Sequence, residues 1–149
     1  MVDTKTISGK CQCAETTFDI THEKDYKPPV MFCHCKDCQV LSGGFGTYNI
    51  AFPLDGIKWT GRDPGRFEAK GDSGTVNTKV FCTKCGSTMA TLAKKRDLAI
   101  LKVPVLGDTA KDYDLTPKYE QYVPRKFACE PENYGATAVQ FDGMKNRDI

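Results

Sequence analysis

Histidine is scarce in this chain: His22 and His34 are the only two in 149 residues. That excludes a histidine-rich catalytic metal centre, and it leaves a cysteine–histidine nucleophile pair only to Cys129 meeting one of them. An excess of charge of one sign is lacking too. Lys and Arg number 21 against 19 Asp and Glu, a formal net charge of +2, which is too little to argue for nucleic acid or an anionic membrane surface as partner. Loss of seven thiol protons and gain of two divalent ions would bring the chain only to about −1. No apolar run approaches the roughly 18 residues needed to span a bilayer. The opening Met1-Val2-Asp3-Thr4-Lys5-Thr6 carries charge where a secretory leader needs apolar residues. The expectation is a soluble, cytoplasmic protein in a compartment that keeps thiols reduced. Internal repeats and low-complexity tracts are missing, and no domain boundary is visible. Residues 1–149 therefore read as one domain, with a body of about residues 7–127 and a C-terminal tail frayed from Met144.

What is present is strand-like. Thr16 to Ile20, Val30 to Phe32, Thr47 to Phe52, Val76 to Phe81 and Leu98 to Val103 are β-branched or aromatic and partly alternating. Pro28-Pro29, Gly43-Gly44, Gly61 to Gly65 and Gly71 to Gly74 punctuate them. No long stretch holds a 3.6-residue apolar period; short helical turns are expected only at Asp37 to Leu41 and around Asp108 to Asp114. This pattern predicts a mainly β fold of two sheets or a sandwich. Hydrophobic residues at 40% and charged residues at 27% suit a globular core.

Eight cysteines in a reducing compartment point to metal rather than disulfides. Seven stand in three groups: Cys11-Gln12-Cys13, Cys33-His34-Cys35-Lys36-Asp37-Cys38 and Cys82-Thr83-Lys84-Cys85. Tetrahedral zinc with sulfurs at about 2.3 Å needs them about 3.7 Å from one another. A C-x-C pair on an extended segment presents both sulfurs to one face, and C-x-x-C reaches the same end by a tight turn. Gly9 and Gly86 let the backbone turn close to the metal. Four sulfurs, Cys11, Cys13, Cys82 and Cys85, make a closed structural zinc site. Cys33, Cys35 and Cys38 make three, and three protein ligands with one exchangeable position is the pattern of catalytic zinc. Spacing leaves this division open, since Cys129 or another group completing the middle set would give two closed sites.

The order C-x-C, then C-H-C-x-x-C followed by Ser42-Gly43, then Phe81-Cys82-Thr83-Lys84-Cys85-Gly86-Ser87 resembles the glutathione-dependent formaldehyde-activating enzyme family. That family shares the Mss4-like fold and includes the centromere protein V group. Weaker similarity runs through Leu106-Gly107-Asp108 and Pro117 to Tyr122. Where family members commonly carry a tryptophan, this chain reads Lys126-Phe127-Ala128-Cys129. The resemblance implies a Mss4-like zinc-binding β fold of short antiparallel strands. It also implies two zinc ions, one structural on Cys11, Cys13, Cys82 and Cys85, and one catalytic on Cys33, Cys35 and Cys38. The implied activity is that of a carbon–sulfur lyase, or in reverse a thiol-adduct synthase, on adducts such as S-hydroxymethylglutathione. The implied partner is a small thiol such as glutathione. The competing reading is a non-catalytic zinc scaffold that binds a protein partner, as related Mss4-like folds do.

Other residues take humbler expectations. His34, on a strand between ligands, points away from them and is packed or solvent-facing. His22 lies in a charged, solvated loop. Cys129 reads as a small buried apolar residue, and Trp59 and Phe67 as core or edge packing. Lys36, Asp37, Arg125 and Lys126 each read as surface, though together they suit the carboxylates of a peptide-like thiol. Asp37 and Asp108 are the candidate general acids. Ser42-Gly43-Gly44 is a turn whose N–H groups can face a substrate oxygen.

Overall fold

The computed structural model describes residues 2–134 and 138–144. Two sheets carry the chain, as the pattern predicts. Strands β1 (Thr4–Lys10) and β2 (Thr16–Glu23) form a hairpin. Next come β3 (Val30–Cys33), the short helix α1 (Lys36–Ser42), the one α-helix among the described residues, and β4 (Thr47–Pro53). They are followed by β5 (Ile57–Gly61), β6 (Gly65–Lys70), β7 (Val76–Phe81), β8 (Thr88–Ala93) and β9 (Leu98–Lys102). A run of 3-10 turns, Val103–Asp112, leads to β10 (Tyr119–Gln121), and β11 (Val139–Phe141) is the last strand described. The smaller sheet has the order β1-β2-β5, the larger β11-β10-β3-β4-β9-β8-β7-β6.

Alternation explains β2: Thr16, Phe18, Ile20 and His22 face inward. Strand β4 is different. Asn49, Ile50, Ala51 and Phe52 are all buried, because β4 lies inside the large sheet, paired with β3 on one side and β9 on the other, and is covered on both faces. The main core joins the sheets through Ile7, Phe18, Ile20, Ile50, Phe52, Met89 and Leu101. Burying a side chain of this size contributes about 1.5–3 kcal/mol.

Several expectations change here. β1, β5 and β6 escaped the sequence pattern because their half-exposed faces carry Thr, Lys and Gly, and β8 because its mostly buried Thr88-Met89-Ala90-Thr91-Leu92-Ala93 is poor in β-branched apolar and aromatic residues. The pairing is antiparallel except at β10, which runs parallel to both β3 and β11. His22 is buried on β2, with Nε2 2.7 Å from the Tyr113 hydroxyl and its ring against Phe52. Phe67 is 61% exposed on the edge strand β6, whereas Trp59 packs edge-on against Phe18 at 5.6 Å. Part of the tail packs back onto the body as β11, and residues 145–149 lie outside the described residues.

Gly9 has a different role from the one its place beside a cysteine suggests. It pairs with Phe18 across the hairpin, and a Cβ there would stand 2.2 Å from Phe18 Cζ and 2.6 Å from the Val105 carbonyl. Gly9→Ala therefore overpacks the core and is expected to cost about 1–3 kcal/mol, read as a lower urea midpoint with an unchanged slope.

Candidate metal centres and the adjoining cleft

Cys11 and Cys13 are not on an extended strand. They occupy the turn after β1, where Cys11 N–H donates to Thr16 O and Ala14, at φ 61°, donates back to Cys11 O. Cys82 and Cys85 follow β7 in a turn closed by Gly86 N–H to Cys82 O at 2.9 Å. Gly86 stands at φ 73° with open space around it, so backbone conformation alone calls for glycine. The two turns bring the four sulfurs within 4.8 Å of one another. Cys11 to Cys13 is 3.5 Å and Cys13 to Cys82 is 3.7 Å, the separations a tetrahedral four-sulfur site requires. Backbone N–H groups of Thr16 and Lys84 point at Cys11 and Cys82 sulfur, and the Ser87 hydroxyl lowers the Cys85 thiol to about 5. Such donors favour thiolate, the form that binds metal. Glu15 bridges Arg62 and Lys84 outside the cluster.

The second group is Cys33, Cys35 and Cys38, all three buried and within 4.8 Å. Cys33 ends β3, Cys35 caps α1 with its sulfur accepting the Cys38 N–H at 3.4 Å, and Cys38 lies on the helix. Hydrogen bonds from Cys33 and Cys35, in that order, hold Cys38 far below the usual thiol range, and the Thr47 hydroxyl adds to them. Among the described residues no fourth Cys, His, Asp or Glu joins this group. Cys129 is exposed and stands apart, contrary to the expectation that it is buried. A cluster of three thiols fits one divalent ion with a position to spare. Tyr122 and Met144 pack against it, separate from the main core.

His34 is fully buried. Nε2 lies 3.0 Å from Glu120 Oε1, while Nδ1 faces Glu130 Oε2 at 3.1 Å and Phe45 O at 3.3 Å. Its main-chain N–H donates to Gln121 O, so side chain and backbone together tie the cysteine loop to β10. Tyr134 stacks on Phe32 at 4.2 Å and donates its hydroxyl to Glu130. Sequence reasoning missed Glu120 and Glu130, which no local spacing connects to His34.

A cleft of about 600 Å³ runs from Cys11, Gln12 and Ser87 to Thr47 and Lys102. Its walls are mostly apolar, including Phe32, Leu41, Pro104 and Val105, and it is lined by two lysines, Lys10 and Lys102, and no carboxylate. Lys102 was also missed, although a lysine inside Leu98-Ala99-Ile100-Leu101-Lys102-Val103 is a visible signal. Burial pushes its ammonium below the ordinary lysine range, neighbouring Lys79 adds to the fall, and negative charge on Cys38, Cys33 and Cys35 opposes it. The candidate acids do not line the cleft. Asp108 is 96% exposed and pairs with Lys111; Asp37 lies 4.0 Å from Lys79. Arg125 is taken by Asp72, Lys126 by Glu120, and Gly43 and Gly44 N–H by Gln39 O within the helix cap.

The Glu120 carboxyl sits below its ordinary range: burial opposes ionisation, but donors from Gln140, His34, the Tyr134 backbone and Lys126 outweigh it. A depressed value stabilises the fold above the unfolded pKa, about 4.3, and the contribution is lost as pH falls through the folded value. Glu120→Gln is expected to cost about 3 kcal/mol at pH 7. Urea unfolding of variant and parent should converge at acid pH.

All eight cysteines are unpaired, and among the described residues no helix is long and apolar enough to cross a membrane. No curated protein matches the chain. A family model described as glutathione-dependent formaldehyde-activating enzyme matches residues 6–125, a span that holds both cysteine clusters, most of β1 and all of β2 to β10. On that match the chain belongs to the glutathione-dependent formaldehyde-activating enzyme family.

Proposed function

We propose that the protein is a zinc-dependent carbon–sulfur lyase, or the reverse thiol-adduct synthase, acting on glutathione-type adducts such as S-hydroxymethylglutathione. The observation that carries this reading is the three-sulfur cluster with no fourth protein ligand among the described residues, beside a cleft of substrate size. Family membership supplies the substrate class. In this reading Cys11, Cys13, Cys82 and Cys85 hold a structural zinc, and Cys33, Cys35 and Cys38 a catalytic one. The division is supported by packing. Cys11 and Cys82 belong to the main core, whereas the three cysteines form a satellite cluster of their own. The whole chain, 1–149, acts as one domain in a reducing, cytoplasmic setting that suits eight free thiols.

Bound zinc supplies an open position that takes a thiol as thiolate at neutral pH. The chain supplies everything else. The α1 cap and β3 fix the three sulfurs before substrate arrives, so positioning is settled in advance. Thr47 favours the Cys38 thiolate and lines the cleft. Phe32, Leu41 and Val105 exclude water from the thiol-bearing end of a substrate. Gln12, Ser42, Ser87 and Thr88 offer hydrogen bonds along a peptide-like chain, and Lys10 offers a charge for a carboxylate.

Two variants separate the sites. Cys85→Ser should abolish folding or lower stability steeply, since structural zinc binding is worth on the order of 10 kcal/mol. Cys35→Ser should lose one zinc equivalent by metal analysis and keep its far-ultraviolet circular dichroism. Collapse of both would assign both ions to structure.

Occupancy of the open position is tested with the cobalt-substituted protein. Glutathione should strengthen thiolate-to-cobalt charge transfer and release a proton, and S-methylglutathione should do neither. Equal behaviour of the two would remove the lyase chemistry and put the scaffold reading first.

A further inference from the structure

We propose that Lys102 is the counter-charge for an anionic donor, the substrate thiolate, arriving from the cleft at the open position of the Cys33–Cys35–Cys38 cluster, and that it makes this position select thiolates over neutral donors. The inference rests on the thiol-adduct reading above and goes past it, to the residue that sets which ligand is accepted.

Sheet register assembles the site. Cys33 pairs with Thr47 across β3 and β4, and Asn49 pairs with Lys102 across β4 and β9. Thr47 and Asn49 are two apart on one strand and share a face. The result is a directional chain of hydrogen bonds. Lys102 Nζ donates to Asn49 Oδ1 at 2.8 Å and Asn49 Nδ2 donates to Thr47 Oγ1 at 2.9 Å, and Thr47, opposite Cys33 in the register, helps to lower the Cys38 thiol. Lys102 is 7% exposed and lines the cleft.

A buried ammonium without a counter-ion is costly. Among the described residues no carboxylate lies within ion-pair distance of Lys102; the nearby Lys79 faces Asp37 instead. The negative charge that acts on Lys102 is that of the three cysteines. When a thiol binds there, its S–H bond breaks, the proton leaves to solvent, and the sulfur adds one negative charge to a centre that three thiolates already make anionic. A fixed cation in a site of low polarity favours that addition, and it does little for a neutral donor such as imidazole.

The test uses cobalt-substituted protein at one fixed pH, titrated with 2-mercaptoethanol and, separately, with imidazole. Lys102→Met removes the charge with little change of volume. Asn49→Asp keeps the lysine and cancels its charge from the atom it already contacts. Both variants should bind the thiol about tenfold more weakly and bind imidazole as the parent does. The four-sulfur cobalt band and the melting curve check the fold, and if Lys102→Met does not keep them, Asn49→Asp decides. Parent-like thiol affinity in the folded variants overturns the inference alone, since thiol binding by the parent leaves the functional reading standing. A parallel loss of thiol and imidazole also overturns it, by assigning Lys102 a structural role. A parent protein that takes no thiol overturns both.

Discussion

Crowding sulfur is the constraint around which this fold is arranged. Seven thiols gather in two groups, each within 4.8 Å. Adjacent thiolates repel, and the thiol protons are shared unevenly as a result: Cys38 is driven down by its hydrogen bonds with Cys33 and Cys35, while Cys33 is driven up by Cys35 and Cys38 and by its burial. Such an arrangement is sustained by backbone donors and tight turns, and each group is compact enough to hold a cation at its centre. The hairpin turn after β1 and the turn after β7 are too far apart in sequence to meet by local preference. Pairing within two separate sheets, joined by the core between them, carries them together.

The two clusters differ in what surrounds them, and that difference has mechanical consequences. Cys11 and Cys82 are continuous with Phe18, Met89 and Leu106 in the main core. Disturbing them disturbs the packing that joins the sheets. Cys33, Cys35 and Cys38 sit at the junction of β3 with a seven-residue helix, backed by Tyr122 and Met144 alone as apolar neighbours. A site of that kind tolerates exchange at one position without loosening the domain. The two clusters thus differ within one chain in where each meets the core.

The segment from Tyr119 to Tyr134 closes the other side of the three-cysteine loop. β10 pairs with β3 through Gln121 and Cys33, and Glu120 and Glu130 stand against the two ring nitrogens of His34 at 3.0 and 3.1 Å. A histidine held this way fixes the strand-to-helix turn from which Cys33 and Cys35 project. This is also where the chain departs from the family pattern: Phe127 is 52% exposed and lies 6.1 Å from Phe45. Side-chain packing there is looser than at Phe32 and Tyr134, a few residues away.

Much of this was legible in the sequence. The three cysteine groups, the family motif, the mainly β character and the helical turn at Asp37 to Leu41 follow from spacing and residue type, which are local properties. The buried histidine on β2, the exposed Cys129 and the exposed Phe67 were not legible, because burial depends on which strand lies at a sheet edge and what covers it. Nor was the parallel placement of β10 beside β3, which the six intervening strands separate in sequence. The cysteine groups were therefore set by sequence, since the spacing within each is a matter of a few bonds, whereas the meeting of Cys11 and Cys13 with Cys82 and Cys85, and the separation of Cys129 from both clusters, came with the fold. The surroundings that distinguish the clusters came only with tertiary structure: Glu120 and Glu130 lie 86 and 96 positions from His34, and Lys102 meets Asn49 only through the register of two strands 53 positions apart. Contacts over such separations carry no local signature, so only the folded sheet decides them.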